Sequence, residues 1–313
     1  MHKLIVLLSV DWEPDHGKWR YAGREVDYGG ILKATPVFMD ILDRLELPCT
    51  WFVETSYDPK RDTPSLFPRL IKELAARKQD EVGLHIHWRR HNGSDKLYYE
   101  TRDEGWVAGQ VAHGVRQLEG LGVRPKAFRS GALLHIPGLP RILHTCGIAV
   151  DSSTLWGECN RVDITKTGLV RKNRFQRLMA VGRRLCGGLS APYLTDDNDV
   201  EKSGRSPLVE FPIAYSLYEA RAFKQQLLYK HVVKQAGRHS GTTFLVIFFH
   251  IDELLLATSG PDLESKPEPL VVRHFAQHLS WLKSEGARFM VFSDARRHWL
   301  DSAEGLSRPT PDR

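Results

Sequence analysis

From near its start to near its end the chain alternates between apolar runs of strand length and segments with helical spacing. That alternation limits the fold more than any other feature. The runs fall at residues 4–10, 49–53, 81–87, 125–129, 148–151, 208–212, 243–249 and 288–292. Between them, segments 31–45, 66–76, 107–121, 139–145, 218–237 and 271–284 carry apolar residues at helical spacing, as Ile31, Val37, Phe38, Ile41, Leu42 and Leu45 illustrate. Strands buried on both faces and separated by helices predict a parallel sheet or barrel. Such folds gather their chemistry at the carboxyl ends of the strands. No repeat, low-complexity block or dividing linker interrupts the pattern. One domain over 1–300 is therefore expected, with a polar, disordered tail at 301–313.

Other classes are excluded by what the chain lacks. The longest uncharged apolar runs, 4–10 and 244–249, fall far short of the roughly 18 residues that span a bilayer. The first leads straight into Asp11, Trp12 and Glu13 without a small-residue cleavage site, so it reads as a strand rather than a signal peptide. Cys49, Cys146, Cys159 and Cys186 form no C-x-x-C pair. This argues against a zinc knuckle or redox motif and for reduced thiols in a cytoplasmic protein. Net charge is +6 with a pI near 9.1, but residues 161–184 alone carry eight basic side chains against Asp163. The remaining 36 basic and 37 acidic residues nearly balance. The basicity belongs to a long insertion at about 157–188. Three readings stand for it: a solvated basic surface, an anion-recognition element near the site, or, given Phe175, Leu178, Met179, Val181 and Leu185, a contact with an anionic membrane. No nucleic-acid motif accompanies it, so a nucleic-acid partner is not expected.

The strand ends carry the candidate chemistry. One strand ends in Asp11-Trp12-Glu13, another in His85-Ile86-His87 with His91 shortly after, a third in Arg129 and a fourth in His250-Ile251-Asp252. Side chains alternate along a strand, so Asp11 shares a face with Glu13, and His85 with His87. Taken singly, each could be a helix cap, a solvated loop residue or a core histidine, and Arg129 could pair with a surface carboxylate. His87 and His91 could also be i, i+4 partners on a helix. Together, two imidazoles and one or two carboxylates at one barrel mouth make a divalent-metal site with open positions, suited to zinc, iron, nickel or cobalt.

The order of these segments resembles the metal-dependent polysaccharide deacetylases, the NodB-homology group also called carbohydrate esterase family four, over about residues 4–292. Leu8-Ser9-Val10-Asp11-Trp12-Glu13 resembles the family's first motif, and Cys49-Thr50-Trp51-Phe52-Val53 its T-F-F-V strand. Glu81-Val82-Gly83-Leu84-His85-Ile86-His87-Trp88 resembles the metal-binding second motif. Phe128-Arg129-Ser130-Gly131 resembles the arginine motif, Gly147 to Ser153 the G-x-x-x-D-S-S strand, and Ile247-Phe248-Phe249-His250 the last motif. The chain departs from the family pattern at three places. Trp12 separates the two acids, the arginine motif lacks its proline, and H-x-H replaces H-x-x-x-H, with Arg89 where the second histidine would fall. It resembles a divergent branch.

The resemblance implies an irregular (β/α)7-type barrel of the α/β class, one divalent ion with zinc favoured, and removal of an N-acetyl group from an amino sugar. It implies Asp11 as general base, Arg129 orienting it, and His250 as general acid. Glu13, His85 and His87 would be the metal ligands, with His91 as the alternative. Trp12, Trp88, Trp156 and Asp151 are expected to contact the sugar, Trp12, Trp88 and Trp156 by stacking. The expected partner is an N-acetylated poly- or oligosaccharide, or its nucleotide- or lipid-linked precursor, with 161–184 as the membrane-facing surface. Two rival readings remain. One is a barrel hydrolase acting on a non-sugar amide such as a cyclic ureide. The other is a metal-free carbohydrate-binding relative.

Overall fold

The first apolar run forms strand β1 (Lys3–Trp12), which is the axis of the molecule. The computed structural model describes residues 3–15, 27–91, 97–100, 102–155, 164–165, 168–169, 191–216, 230, 234, 241–255 and 267–302. Parallel partners flank β1: β2 (Thr50–Glu54) on one side and β13 (Thr242–His250) on the other. The sheet continues through β3 (Glu81–Ile86), β6 (Ala127–Ser130) and β7 (Val150–Asp151). A hairpin of β4 (Arg89–His91) and β5 (Leu97–Tyr99) leaves the end of β3. Within the insertion, only the backbone of β8 (Ile164–Thr165) and β9 (Gly168–Leu169) is described. The rest of 161–184, all of the expected 218–237 helix except 230 and 234, Trp156 and the tail beyond 302 lie outside the described residues.

The ring closes through one kinked stretch. β10 (Tyr193–Leu194) runs antiparallel to β11 (Val209–Glu210), and β11 pairs in parallel with β7. After Phe211 and Pro212 the same stretch becomes β12 (Ile213–Ser216), which pairs with β13. A single strand over 208–212 was expected. Pro212 has no N–H to donate, so the ladder breaks there and resumes on the other neighbour. Seven strand positions result, the barrel that the sequence motifs imply.

Inside and outside follow from alternation. Leu4, Val6, Leu8, Val10 and Trp12 pack outward with Phe38, Ile41 and Leu42 of α1 (Thr35–Leu45) and with Phe275, Leu279 and Leu282 of a helix at Pro269–Ser284. Helix α1 is entered through a wider π turn at Gly30–Ala34. Ile5 and Leu7 point inward with Phe52, Ala127, Val150, Val209, Phe211, Phe244, Val246 and Phe248. The 288–292 run does not form the long strand expected of it. Only Arg288–Phe289 is a strand, β14, beside Ile5 and Val6. Helix Phe292–Asp301 begins at once, and its Phe292, Ala295 and Trp299 join the inner core. That helix was not anticipated, although its i, i+3, i+7 apolar spacing is legible. Among the described residues, the inward face at the amino end is polar only at Thr50 and Glu81, which bond to each other, Glu81 also accepting from Ser293; the larger polar group lies at the carboxyl end of the barrel.

Candidate metal and catalytic centre

Continuing the inward face of β1 past Leu7 gives Ser9, Asp11 and Glu13, all buried. Beside them the inward positions of β2, β3, β6 and β13 end in Glu54, His85 with His87, Arg129 and His250. The expected side chains from four strand ends therefore converge on one mouth.

Arg129 is fully buried and fixes Asp11. Its Nη1 donates to Asp11 Oδ1 at 2.7 Å and its Nη2 to Ser9 Oγ at 2.9 Å. Nε donates to Ser152 O at 3.0 Å, and the guanidinium lies 4.2 Å from the Phe52 ring centroid. A desolvated cation over an aromatic face and a charge-assisted bond hold the group in one pose. Asp11 Oδ2 is turned toward His250.

Glu13 lies between the two histidines of β3. Its Oε2 is 2.8 Å from His87 Nε2 and its Oε1 3.7 Å from His85 Nε2. His85 Nδ1 donates to the carbonyl of Arg129 at 2.9 Å. That bond places a proton on Nδ1 and leaves Nε2 facing the Glu13 carboxylate. Burial lowers the His85 pKa, but Asp11 and the hydrogen bond and charge of Glu13 outweigh it and raise it. Burial pushes His87 down to about 3 against the pull of Glu13, which leaves a neutral imidazole, the form that binds metal. Gly131 makes room for His87, since a Cβ there would stand 2.5 Å from its ring. Ligand atoms of Glu13, His85 and His87 lie within 4.8 Å of one another. In a site with bonds of about 2.0–2.1 Å, ligand atoms are about 2.9 Å apart if octahedral and about 3.4 Å if tetrahedral. The donor set and spacing fit a divalent ion. His85, with Nδ1 on a backbone carbonyl and Nε2 in the pocket, has the arrangement typical of a metal-ligating histidine.

His250 faces the same pocket. Its Nδ1 donates to Glu253 Oε1 at 3.1 Å, and its Nε2 is 3.5 Å from Glu13 Oε1 and 3.8 Å from Asp11 Oδ2. Burial alone would lower its pKa. The hydrogen bond and charge of Glu253, with the charges of Glu13 and Asp11, reverse this and push it up to about 10.

Other expected residues are elsewhere. Trp12 is fully buried on the outward face, where its Nε1 donates to Thr35 Oγ1 and its ring meets Phe67 edge-on. Trp88 is also fully buried, with Nε1 donating to Ser130 Oγ. Neither offers a face to a sugar: outward parity on β1 and β3 puts both under the helices. Asp151 also leaves the mouth. Val150 points inward, so Asp151 points outward, in register with Glu210. Burial raises its pKa to about 7, while bonds from Ser153 and Ser152 pull the other way. His91 lies on β4, not on a helix with His87, and its side chain is outside those described.

Three contributors escaped the sequence reading. Glu54 ends β2 one residue past the expected strand and holds Arg61 bidentate at 3.1 Å on both bonds. Glu253 and Ser9 orient His250 and Arg129. A titratable residue at the end of a fifth apolar run was the available signal for Glu54.

Fold and site together define a class: a seven-stranded α/β barrel whose mouth holds a His2–carboxylate cluster beside an arginine-bound aspartate. No family model and no curated protein sequence matches the chain. Among solved structures, a Mycobacterium smegmatis protein assigned as a polysaccharide deacetylase superposes with a TM-score of 0.62 at 16% identity, covering 100% of this chain and 94% of its own. A Pseudomonas aeruginosa PAO1 protein with the same assignment gives 0.56 at 12%, covering 97% and 93%. PuuE allantoinase also gives 0.56 at 12%, covering 97% and 92%. The chain has the NodB-type polysaccharide deacetylase fold.

Proposed function

We propose that the protein is a divalent-metal-dependent N-deacetylase acting on an N-acetylated saccharide. The observation that carries this is the unequal treatment of two acids on one strand face: Asp11 is locked to Arg129, while Glu13 is set between two histidines. Glu13, His85 and His87 would hold the cation. When bound, a divalent cation supplies Lewis acidity, which makes water a nucleophile and polarises the acyl carbonyl.

The chain's own residues do the rest. Asp11 Oδ2, held by the Arg129 bond to Oδ1, accepts the proton of the attacking water. His250, charged by Glu253 and facing the same space, donates a proton to the departing amine. Ser9 and Ser152 fix the guanidinium, and through it the base. Acetate and a free amino sugar result. The motif resemblance and the shared fold with two proteins assigned as polysaccharide deacetylases support the substrate class. A phosphate-bearing saccharide, nucleotide- or lipid-linked, is the finer reading suggested by the charge of 161–184, where an anionic membrane could also dock.

The allantoinase likeness favours one second reading, hydrolysis of a cyclic ureide. Both are tested by incubating the cation-loaded and chelator-treated protein with N-acetylated amino-sugar oligosaccharides and with allantoin. Cation-dependent acetate release is the expected result. Ureide opening without acetate release overturns the first reading in favour of the second. Exchange of Arg171, Lys172, Arg174 and Arg177 for Gln should weaken use of phosphate-bearing saccharides in a salt-sensitive way and spare neutral ones. Unchanged turnover of the phosphate-bearing saccharides would sink the finer reading.

A further inference from the structure

Asp11 and His250 do more than flank the first cation position. With Glu13 they make a second group of three ligand atoms within 4.8 Å, and it overlaps the first only at Glu13. The atoms are fixed by bonds that point away from the pocket. His250 Nδ1 is engaged by Glu253, so Nε2 is the nitrogen turned inward. Asp11 Oδ1 is engaged by Arg129, so Oδ2 is the oxygen turned inward. Nε2 is 3.5 Å from Glu13 Oε1 and 3.8 Å from Asp11 Oδ2. Those separations are long for hydrogen bonds and close to the roughly 3.4 Å edge of a tetrahedral metal site with bonds of about 2.0–2.1 Å. Glu13 directs Oε2 to His87 at 2.8 Å and Oε1 toward both His250 at 3.5 Å and His85 at 3.7 Å, so its two oxygens reach nitrogens of both groups.

We propose that Asp11, Glu13 and His250 form a second divalent-cation site, bridged to the first by Glu13. One imidazole nitrogen and two carboxylate oxygens suit zinc, cobalt, manganese or iron. The second ion binds more weakly than the first. Asp11, Glu13, Glu54 and Glu253 stand against Arg61, Arg129 and the charged His250, so a first divalent ion more than offsets the negative charge that remains, and a second must also displace the His250 proton. The second ion takes the Nε2 lone pair that carries the proton of a general acid, so filling the site stops turnover. Free cation then acts as an inhibitor as well as an activator, and this rests on the first site of the proposed function.

The test is Co2+ stoichiometry on the full chain, by equilibrium dialysis and native mass spectrometry, for wild type, His250→Gln and Asp11→Asn. Two ions per wild-type chain are expected, the second filling at higher Co2+, and one in each variant. Retention of that first ion, together with a cooperative urea-unfolding transition like that of the wild type, shows that the variant barrel is assembled. Saturation of the wild type at one ion overturns the second site and leaves the first standing. Two ions in both variants places the second ion elsewhere and also overturns it. No bound ion overturns the metal reading and this inference together.

Discussion

Replacing Arg129 should expose how much of the barrel's stability is committed to aiming one carboxylate. Arg129→Met leaves Asp11, whose side chain is 3% exposed, as a buried charge without its 2.7 Å partner. Breaking one side of a buried ion pair costs about 3–5 kcal/mol. The guanidinium's bonds to the neutral acceptors of Ser9 and Ser152 add about 1.5–3 kcal/mol each, offset in part because methionine refills the space against Phe52. Asp11→Asn strands the guanidinium and should cost about as much. The double variant carries no buried charge at this point and loses only the bonds to Ser9 and Ser152. It should therefore be more stable than the sum of the single variants implies, with a coupling of about 3 kcal/mol. Urea unfolding of the four proteins, all metal-free, measures this. Additivity within about 0.5 kcal/mol would mean that the pair does not act as a unit, and the positioning role of Arg129 would fall with it.

Three further outcomes follow from single contacts. Gly131→Ala pushes a methyl into the His87 ring and should lower cation affinity by about 10–100-fold with the fold intact, measured by chelator competition; unchanged affinity removes His87 from the ligand set. Glu253→Gln removes the charge that helps to raise His250 and leaves only a neutral acceptor for its Nδ1–H. Because the general acid must be protonated, the alkaline limb of the kcat–pH profile should move to lower pH, and an unmoved limb would exclude His250 as that acid. Asp151 is raised to about 7, so the folded state keeps a proton that the unfolded chain releases near 4. Its stabilising effect is complete below about pH 4 and is lost as pH rises through 7. Wild-type Tm should fall between pH 5 and 8 more steeply than that of Asp151→Asn, and parallel curves would show that Asp151 is not the group responsible.

Much of this architecture is legible in the chain because apolar runs and their polar endings obey the same period-two rule. Asp11, Glu13, His85 and His87 could be placed on one face before any coordinates. What parity alone left open was which face is inside. Trp12 and Trp88 adjoin site residues in sequence, and adjacency on a strand means opposite faces, so the same rule that groups the ligands puts both indoles under the helices. Asp151 fails for the same reason, one position out of phase with Val150. Glu54 lies one residue past the apolar run that ends at Val53, so the run itself does not include it. Pro212 does mark the break between β11 and β12, but the transfer from one neighbour to the other depends on where β7 and β13 stand, and no local pattern encodes that.

The ring closure divides the site in the order in which the chain is made. Glu13, His85 and His87 lie within the first 87 residues, on β1 and β3, with only β2 between them. The base needs Arg129, 118 residues away from Asp11, and β1 is not sealed on its other side until β13, where Ser9 bonds to Ile247 across 238 residues. Contacts so distant in sequence form late. An emerging chain therefore has Glu13, His85 and His87, the three proposed ligands, before it has a closed barrel, the Asp11–Arg129 pair or His250. A cation held there would staple the opening three strands of a protein whose proposed base and acid are not yet in place.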